Sequence, residues 1–280
     1  MDVLGIDLGG TQIRGAVVNE QSLSSLQADR IMASGSTEQI LEQIFRLTDK
    51  LIGKTIQAIG IGVPSVVDIE KGVVYDVQNI PSWKEVPLKK HMEDRYHLPV
   101  IVNNDANCFA LGEKYFGKGK SLDSFIALAV GTGIGAGVII GGRLYAGPNC
   151  GAGEFGMVDY LDQCYEYYAS GQFFQNCYQT TGEEVFRRAE TGDAKAQAIL
   201  LEMGEHLGNA IKMILYTYDP QTIILGGSIS QAYRYYQETL WARIRTFGYP
   251  KSLEHFRIDI STLKNSGVLG AAALCYDHIR

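Results

Sequence analysis

At 280 residues the chain is long enough for one large or two medium domains with a sizeable core. Its 46% hydrophobic and 20% charged content is ordinary for a folded globular protein, and a net charge of -6 with no basic block argues against nucleic acid as a partner. Five scattered cysteines (Cys108, Cys150, Cys164, Cys177 and Cys275), odd in number and without Cys-x-x-Cys spacing, read as a reduced, cytoplasmic chain without a disulfide framework.

The chain starts at once on structure, with no positive segment or long apolar run of a leader. Val3–Asp7 predicts a strand, Leu8–Thr11 a Gly-rich turn, and Ile13–Val18 a second strand. A third strand is expected over Gln27–Ala33. Apolar residues at helical spacing predict a helix over Thr37–Ile52. Ile56–Val63 reads as a buried strand ended by Pro64, Val86–Tyr96 as a helix, and Leu98–Val102 as a strand. A helix over Ala106–Phe116 follows, closed by Gly117. The pattern then restarts: strand Phe125–Val130, turn Gly131-Thr132-Gly133, strand Gly137–Ile140. The uncharged stretch Phe125–Gly142 is broken by four glycines, so it reads as two buried strands and not as a membrane span. Helices are expected over Gln172–Tyr178, Gly182–Ala189 and Ala194–Tyr218, the last capped by Asp193. A strand Thr222–Leu225, the pair Gly226-Gly227, a helix, a strand Phe256–Ile260 and a helix after Gly267 complete the chain. Two halves that open alike suggest a duplicated α/β domain.

Asp105 stands where the strand over residues 98–102 hands over to a helix, the place where open α/β sheets bind ligands. It is flanked by the amides of Asn103, Asn104 and Asn107. A lone carboxylate there suits a general base, and it equally suits a helix cap; position alone does not choose. Asp7 precedes Gly9-Gly10-Thr11, a turn rich in backbone N–H groups that can cradle a phosphate. Asp7 could hold Mg2+ through water. Gly131-Thr132-Gly133 and Gly226-Gly227 are two further Gly-rich turns at strand ends. Several other motifs fail. Gly53-Lys54-Thr55 and Gly119-Lys120-Ser121 lack the first glycine of a phosphate loop, where Thr48 and Lys114 stand. No Gly-x-Gly-x-x-Gly runs from Gly131, Gly133 or Gly135, which argues against a dinucleotide-binding oxidoreductase. The five histidines read as solvated or satisfied. The tyrosine cluster Tyr160, Tyr165, Tyr167 and Tyr168 reads as packing or interface.

Asp7-Leu8-Gly9-Gly10-Thr11, Gly60–Pro64, Asn79–Trp83, Asn103–Asn107, Gly131–Gly135, Gly151–Gly156 and Leu225-Gly226-Gly227 occur in an order that resembles the ROK family (repressors, open reading frames, sugar kinases). The similarity runs from about Val3 to Ala273. It implies a two-domain actin-like ATPase fold (ribonuclease H-like) with an interdomain cleft where ATP and sugar meet. The expected division is 1–105 and 106–280, with the final helix packing back on the first domain. By resemblance, Asp105 is the catalytic base, Asn104, Glu154 and Glu166 are sugar ligands, and Ser65 and Asn79 are further sugar contacts. Asp7, Gly9, Gly10, Thr11, Gly131, Thr132 and Gly133 match the phosphate side, and Gly226 and Gly227 the adenosine side. ATP and Mg2+ are the implied cofactors and a homodimer the implied assembly, with no nucleic-acid or membrane partner.

The chain departs from the family at one place. Gly156 is followed by Met157 where a histidine is common, and only Cys164 remains before Glu166 in place of a cysteine-rich zinc loop. No zinc site is therefore expected, and one sugar contact is missing. The implied activity is ATP-dependent phosphorylation of glucose, a related hexose or an N-acylhexosamine, at the 6-hydroxyl. The alternative is a non-catalytic sugar-sensing regulator. Asp7 lies too near the start of the chain to leave room for a preceding DNA-binding domain.

Overall fold

In the computed structural model, which describes residues 1–20 and 22–279 (Ile279 by its backbone alone), the chain opens with β1 (Asp2–Leu8), β2 (Gln12–Val18) and β3 (Leu23–Arg30). α1 (Thr37–Asp49), β4 (Ile56–Val63), β5 (Val66–Asp68), β6 (Val73–Tyr75), β7 (Glu85–Val86), α2 (Leu88–Tyr96), β8 (Val100–Asn104) and α3 (Asp105–Tyr115) follow. The first sheet has the order β3-β2-β1-β4-β8. β1, β4 and β8 run parallel in its middle and at one edge, while β2 and β3 are antiparallel. Parallel strands covered on both faces need continuous apolar sequence, and β1 and β4 supply it.

The alternation of β1 assigns its two faces. Leu4, Ile6 and Leu8 join the core that includes Ile40, Ile44 and Leu47 of α1. Val3, Ala16 and Val18 pack instead with Val268, Ala272 and Cys275 of the final helix. Asp7 shares that second face by alternation. Gly60 of β4 lies directly under the final helix, where a Cβ would overlap the Ala271 carbonyl.

Three local expectations change. β3 begins earlier than residue 27 and is mostly exposed, as an edge strand can be. The helix expected from Val86 starts at Leu88, because Pro87 stands at its N-cap and Val86 ends the short strand β7. The small sheet β5-β6-β7 has strands of two or three residues, too short for a period-two signal.

Beyond α3 come β9 (Phe125–Val130), β10 (Ile134–Ile140), β11 (Arg143–Tyr145), β12 (Asp159–Tyr160), β13 (Gln163–Cys164), α4 (Tyr165–Ala169), α5 (Gln172–Tyr178), α6 (Gly182–Glu190) and α7 (Ala194–Tyr218). β14 (Thr222–Gly226), α8 (Tyr233–Ile244), α9 (Pro250–Leu253), β15 (Arg257–Ile260) and α10 (Ser266–Ile279) end the chain. Asp193 caps α7 by accepting from Lys195 and Ala196 N–H at 2.9 and 3.2 Å. The second sheet has the order β11-β10-β9-β14-β15, the same pattern as the first. The repeated strand–turn–strand opening in the sequence thus corresponds to a repeated sheet topology. Among the described residues no helix is long and apolar enough to cross a membrane.

The chain forms two compact units. The first comprises Met1–Asp123, Gly137–Ala152 and Leu263–Arg280, and the second Ser124–Ala136 and Gly153–Thr262. This differs from a division after residue 105. α3 stays with the first unit because it packs along α10, which in turn lies on β1 and β4.

Candidate active site

In the first unit, the carboxyl ends of β1, β4 and β8 are in register. Asp7 pairs with Gly62, and Gly62 with Asn103. The Asp7 turn and the Asn103-Asn104-Asp105 segment therefore share one sheet edge, two strands apart, or about 10 Å at the usual strand spacing. The buried Cys108 lies near both acids: burial drives its thiol far above the usual range, and the charges of Asp105 and Asp7 add to that push.

Asn104 is the N-cap of α3, its side-chain carbonyl accepting from Ala106 N–H at 2.9 Å. Asp105 is the first helical residue and is exposed. Asn104 also donates from Nδ2 to the Ser65 carbonyl at 3.2 Å, tying β8 to the end of β4. Buried Asn103 supports this edge. Its Oδ1 accepts from Asn104 N–H at 2.8 Å, from Asn107 Nδ2 at 2.9 Å and from Cys150 Sγ at 3.3 Å. The Ser65 hydroxyl donates to the Tyr75 carbonyl. Asn79 lies against the first Gly-rich turn, where a Cβ on Gly10 would come within 2.8 Å of its Nδ2. Thr11 is exposed at the same turn, and Gly9 N–H closes it by donating to Gln12 O at 2.9 Å.

Asp7 is nearly buried and faces Arg14 across the β1–β2 ladder, with Arg14 Nη2 at 2.5 Å from Oδ2. The first turn of α10 also reaches it. A Cβ on Gly267 would stand 2.5 Å from Oδ2 and 2.9 Å from Oδ1. The helix N-terminus thus offers positive potential to this carboxylate.

In the second unit, Gly226 pairs with Ala129, so the turns after β9 and β14 share another sheet edge. Gly227 has φ +83°, a conformation open to glycine, and a Cβ there would overlap the Val130 carbonyl. The Gly131-Thr132-Gly133 turn is pinned from outside. Gly171 N–H donates to Gly131 O at 2.7 Å, and Ser170 Oγ donates to Thr132 O at 2.9 Å. Glu166, in the first turn of α4, reaches the same turn: Oε2 accepts from Ile134 N–H at 2.8 Å and Oε1 from Gln172 Nε2 at 2.7 Å. Its carboxylate is fixed by these bonds and is more than a charge at a helix start.

Partial desolvation raises the Glu154 carboxyl above its ordinary range, and the negative charge of Glu166 adds to the shift. The folded protein therefore holds this proton more tightly than the unfolded chain does. The resulting penalty is absent below the ordinary value of 4.5 and grows as pH rises through the raised range. Glu154→Gln is expected to raise the melting temperature at neutral pH and to leave it unchanged well below the ordinary value. Thermal scans at the two pH values check this.

A cleft of about 960 Å³ opens from the Gly131-Thr132 turn and Ser228 towards Phe186, Arg187, Arg234 and Tyr235. Gly226 and Gly227 do not line it; they precede the lining residue Ser228 in the chain. Arg187 and Arg234 are ion-paired with Glu184 and Glu190 at 2.6 and 3.0 Å. These rim residues carry no motif in the sequence, since polar positions on helices look like any solvated face. Among the described residues no group of three or more His, Cys, Asp or Glu is arranged to hold a metal ion.

The chain matches the ROK family over residues 3–278 and belongs to that family. It is 29% identical to a glucokinase of Thermotoga maritima, over 100% of this chain and 98% of the relative. It is 28% identical to the xylose repressor of Bacillus subtilis, over 98% of this chain and 77% of the repressor. A ROK family glucokinase from Streptomyces griseus, solved with glucose and AMPPNP, superposes with a TM-score of 0.83 at 28% identity, over 98% of this chain and 99% of that one. The fold is thus the actin-like ATPase fold of ROK sugar kinases.

Proposed function

We propose that this protein is an ATP- and Mg2+-dependent hexose kinase acting on the 6-hydroxyl of glucose, a related hexose or an N-acylhexosamine. The observation that carries the reading is the place of Asp105: next to the Asn104 cap, it is an exposed carboxylate at the first helical position of α3, at the same sheet edge as the Asp7 turn. Asp105 removes the proton of the sugar hydroxyl as its oxygen attacks the γ-phosphorus of ATP. The new O–P bond forms, the bond to the β-phosphate oxygen breaks, and ADP leaves. Asn104, Glu154 and Glu166 hold sugar hydroxyls, with Ser65 and Asn79 as further contacts. A hydroxyl donates to a carboxylate and accepts from an amide, so this residue set orients it in both senses. The backbone N–H groups of the turns at Gly9–Thr11 and Gly131–Gly133 receive the phosphates. The cleft beyond Ser228 receives the adenosine, with Gly226 and Gly227 leading the chain into it from β14.

Asp7 fits Mg2+ as a partner through water. The ion binds one or two carboxylates and keeps several waters, and Asp7 is one carboxylate with Oδ2 already held by Arg14. When bound, the ion neutralises charge on the transferring phosphate. Gly267→Ala crowds both Asp7 oxygens and is expected to raise the Mg2+ concentration for half-maximal rate several-fold. Titrating Mg2+ in the kinase assay and following Mg2+-dependent nucleotide binding by calorimetry both report it.

A sugar panel in a coupled ADP-release assay tests the whole reading. Sugar-dependent ADP release is expected for at least one hexose, and none on any sugar refutes it. The repressor relatives support a second reading, a regulator that binds sugar without turnover. A sugar-induced thermal shift without ADP release would favour it.

A further inference from the structure

α4, which carries Glu166, has only five residues and cannot hold its own conformation. Two sets of contacts fix it. On one side Ser170 Oγ lies 2.6 Å from the Glu166 carbonyl, sharing its one hydrogen between it and the Thr132 carbonyl, alongside the carboxylate's bonds to Ile134 and Gln172. On the other side stand aromatic rings. Tyr165 and Tyr168, three apart, share a helix face. Tyr165 stacks on Tyr160 with centroids 4.4 Å apart and planes inclined by 15°. Tyr168 meets the edge of Tyr160 at 5.9 Å and lies 5.1 Å from the His206 ring.

Tyr160 is itself fastened to α7, a helix of 25 residues. Asn209 Nδ2 donates to the Tyr160 hydroxyl at 3.0 Å, and that hydroxyl lies 3.2 Å from His206 Nδ1. With a lone pair taken by Asn209, the phenol hydrogen is available to Nδ1. The imidazole is then neutral, with its proton on Nε2, which faces Glu202 at 4.0 Å. Burial lowers the His206 pKa and keeps the neutral form; Glu202 and Glu205 oppose this and Arg243 assists it. Of the two readings open to the histidines, His206 is satisfied, and it is one end of a clamp.

We infer that Tyr160, fastened to α7 by His206 and Asn209, is a positioning residue for Glu166 that sets sugar affinity without touching the phosphoryl transfer. Stacking on Tyr165 fixes the roll of α4, and the roll fixes where the Glu166 carboxylate points. This rests on Glu166 being a sugar ligand. Tyr160→Ala is expected to raise the sugar KM about tenfold, with kcat and the ATP KM changed less than about twofold. Tyr160→Phe keeps the stack and loses the hydroxyl, so it restores most of the affinity. Asn209→Ala, which loosens the clamp without removing a ring, raises the sugar KM by about two- to threefold and stands in if Tyr160→Ala does not fold. The experiment is steady-state kinetics in both substrates for these variants and Glu166→Gln, with a melting curve for each. An unchanged sugar KM in folded Tyr160→Ala, or in Asn209→Ala where Tyr160→Ala fails to fold, overturns the inference. So does a fall in kcat at constant KM. If Glu166→Gln raises the sugar KM and the clamp variants do not, the inference alone fails. If Glu166→Gln has no effect, the sugar role of Glu166 fails with it.

Discussion

Asp105→Asn is expected to lower kcat for sugar phosphorylation by about a hundred- to ten-thousandfold, the range of a lost general base. The substitution preserves shape and removes the charge that accepts the proton. It leaves the cap bond of Asn104 Oδ1 to Ala106 N–H in place. The sugar should still shift the melting temperature of the variant. Asn104→Ala should behave differently: it removes both the cap and the bond to Ser65, at a typical cost of about 1 kcal/mol for the cap. ADP release and thermal shift, measured side by side, separate the two residues.

Gly270→Ala is expected to destabilise the protein by about 3 kcal/mol or more, at the upper end of overpacking effects. α3 and α10 touch backbone to backbone. A Cβ on Gly270 would overlap the Cys108 carbonyl, and one on Gly112 would lie 3.0 Å from the Ser266 carbonyl. These obstacles are main chain, which no rotamer change moves aside, so the helices must separate. The melting temperature should fall by about 6–12 °C for a chain of this size. Activity should fall too, since α3 begins with Asp105 and the first turn of α10 lies against Asp7. Gly53→Ala is the control: nothing lies within 4 Å of a Cβ there. Calorimetric melting of both variants checks the contrast.

Much of the frame was legible because its signals are strong. β4 was expected at Ile56–Val63 and spans those residues, since a buried parallel strand is an unbroken apolar run bounded by Pro64. The two strand–turn–strand openings, read as equivalent, begin sheets of identical order. Other features left no local trace. Asn103, Asn104 and Asp105 are all good capping residues, and only the observed cap bond assigns the task to Asn104. The bonds that fix Glu166 come from Ile134, 32 positions away, and from Gln172. Which of the two, solvated or satisfied, describes His206 is not legible locally, because its partners Tyr160 and Tyr168 come from a distant hairpin and a short helix. The division into units follows α10 back to β1 and β4, a long-range contact that composition along the chain does not announce.

The most direct test is to incubate the protein with ATP, Mg2+ and a hexose that shifts its melting temperature, and to follow phosphorus by NMR. The wild-type chain should convert the γ-phosphate signal of ATP into a phosphomonoester coupled to a CH2 group, and Asp105→Asn should not. A hexose that binds but yields no phosphomonoester with the wild-type chain would contradict the kinase assignment.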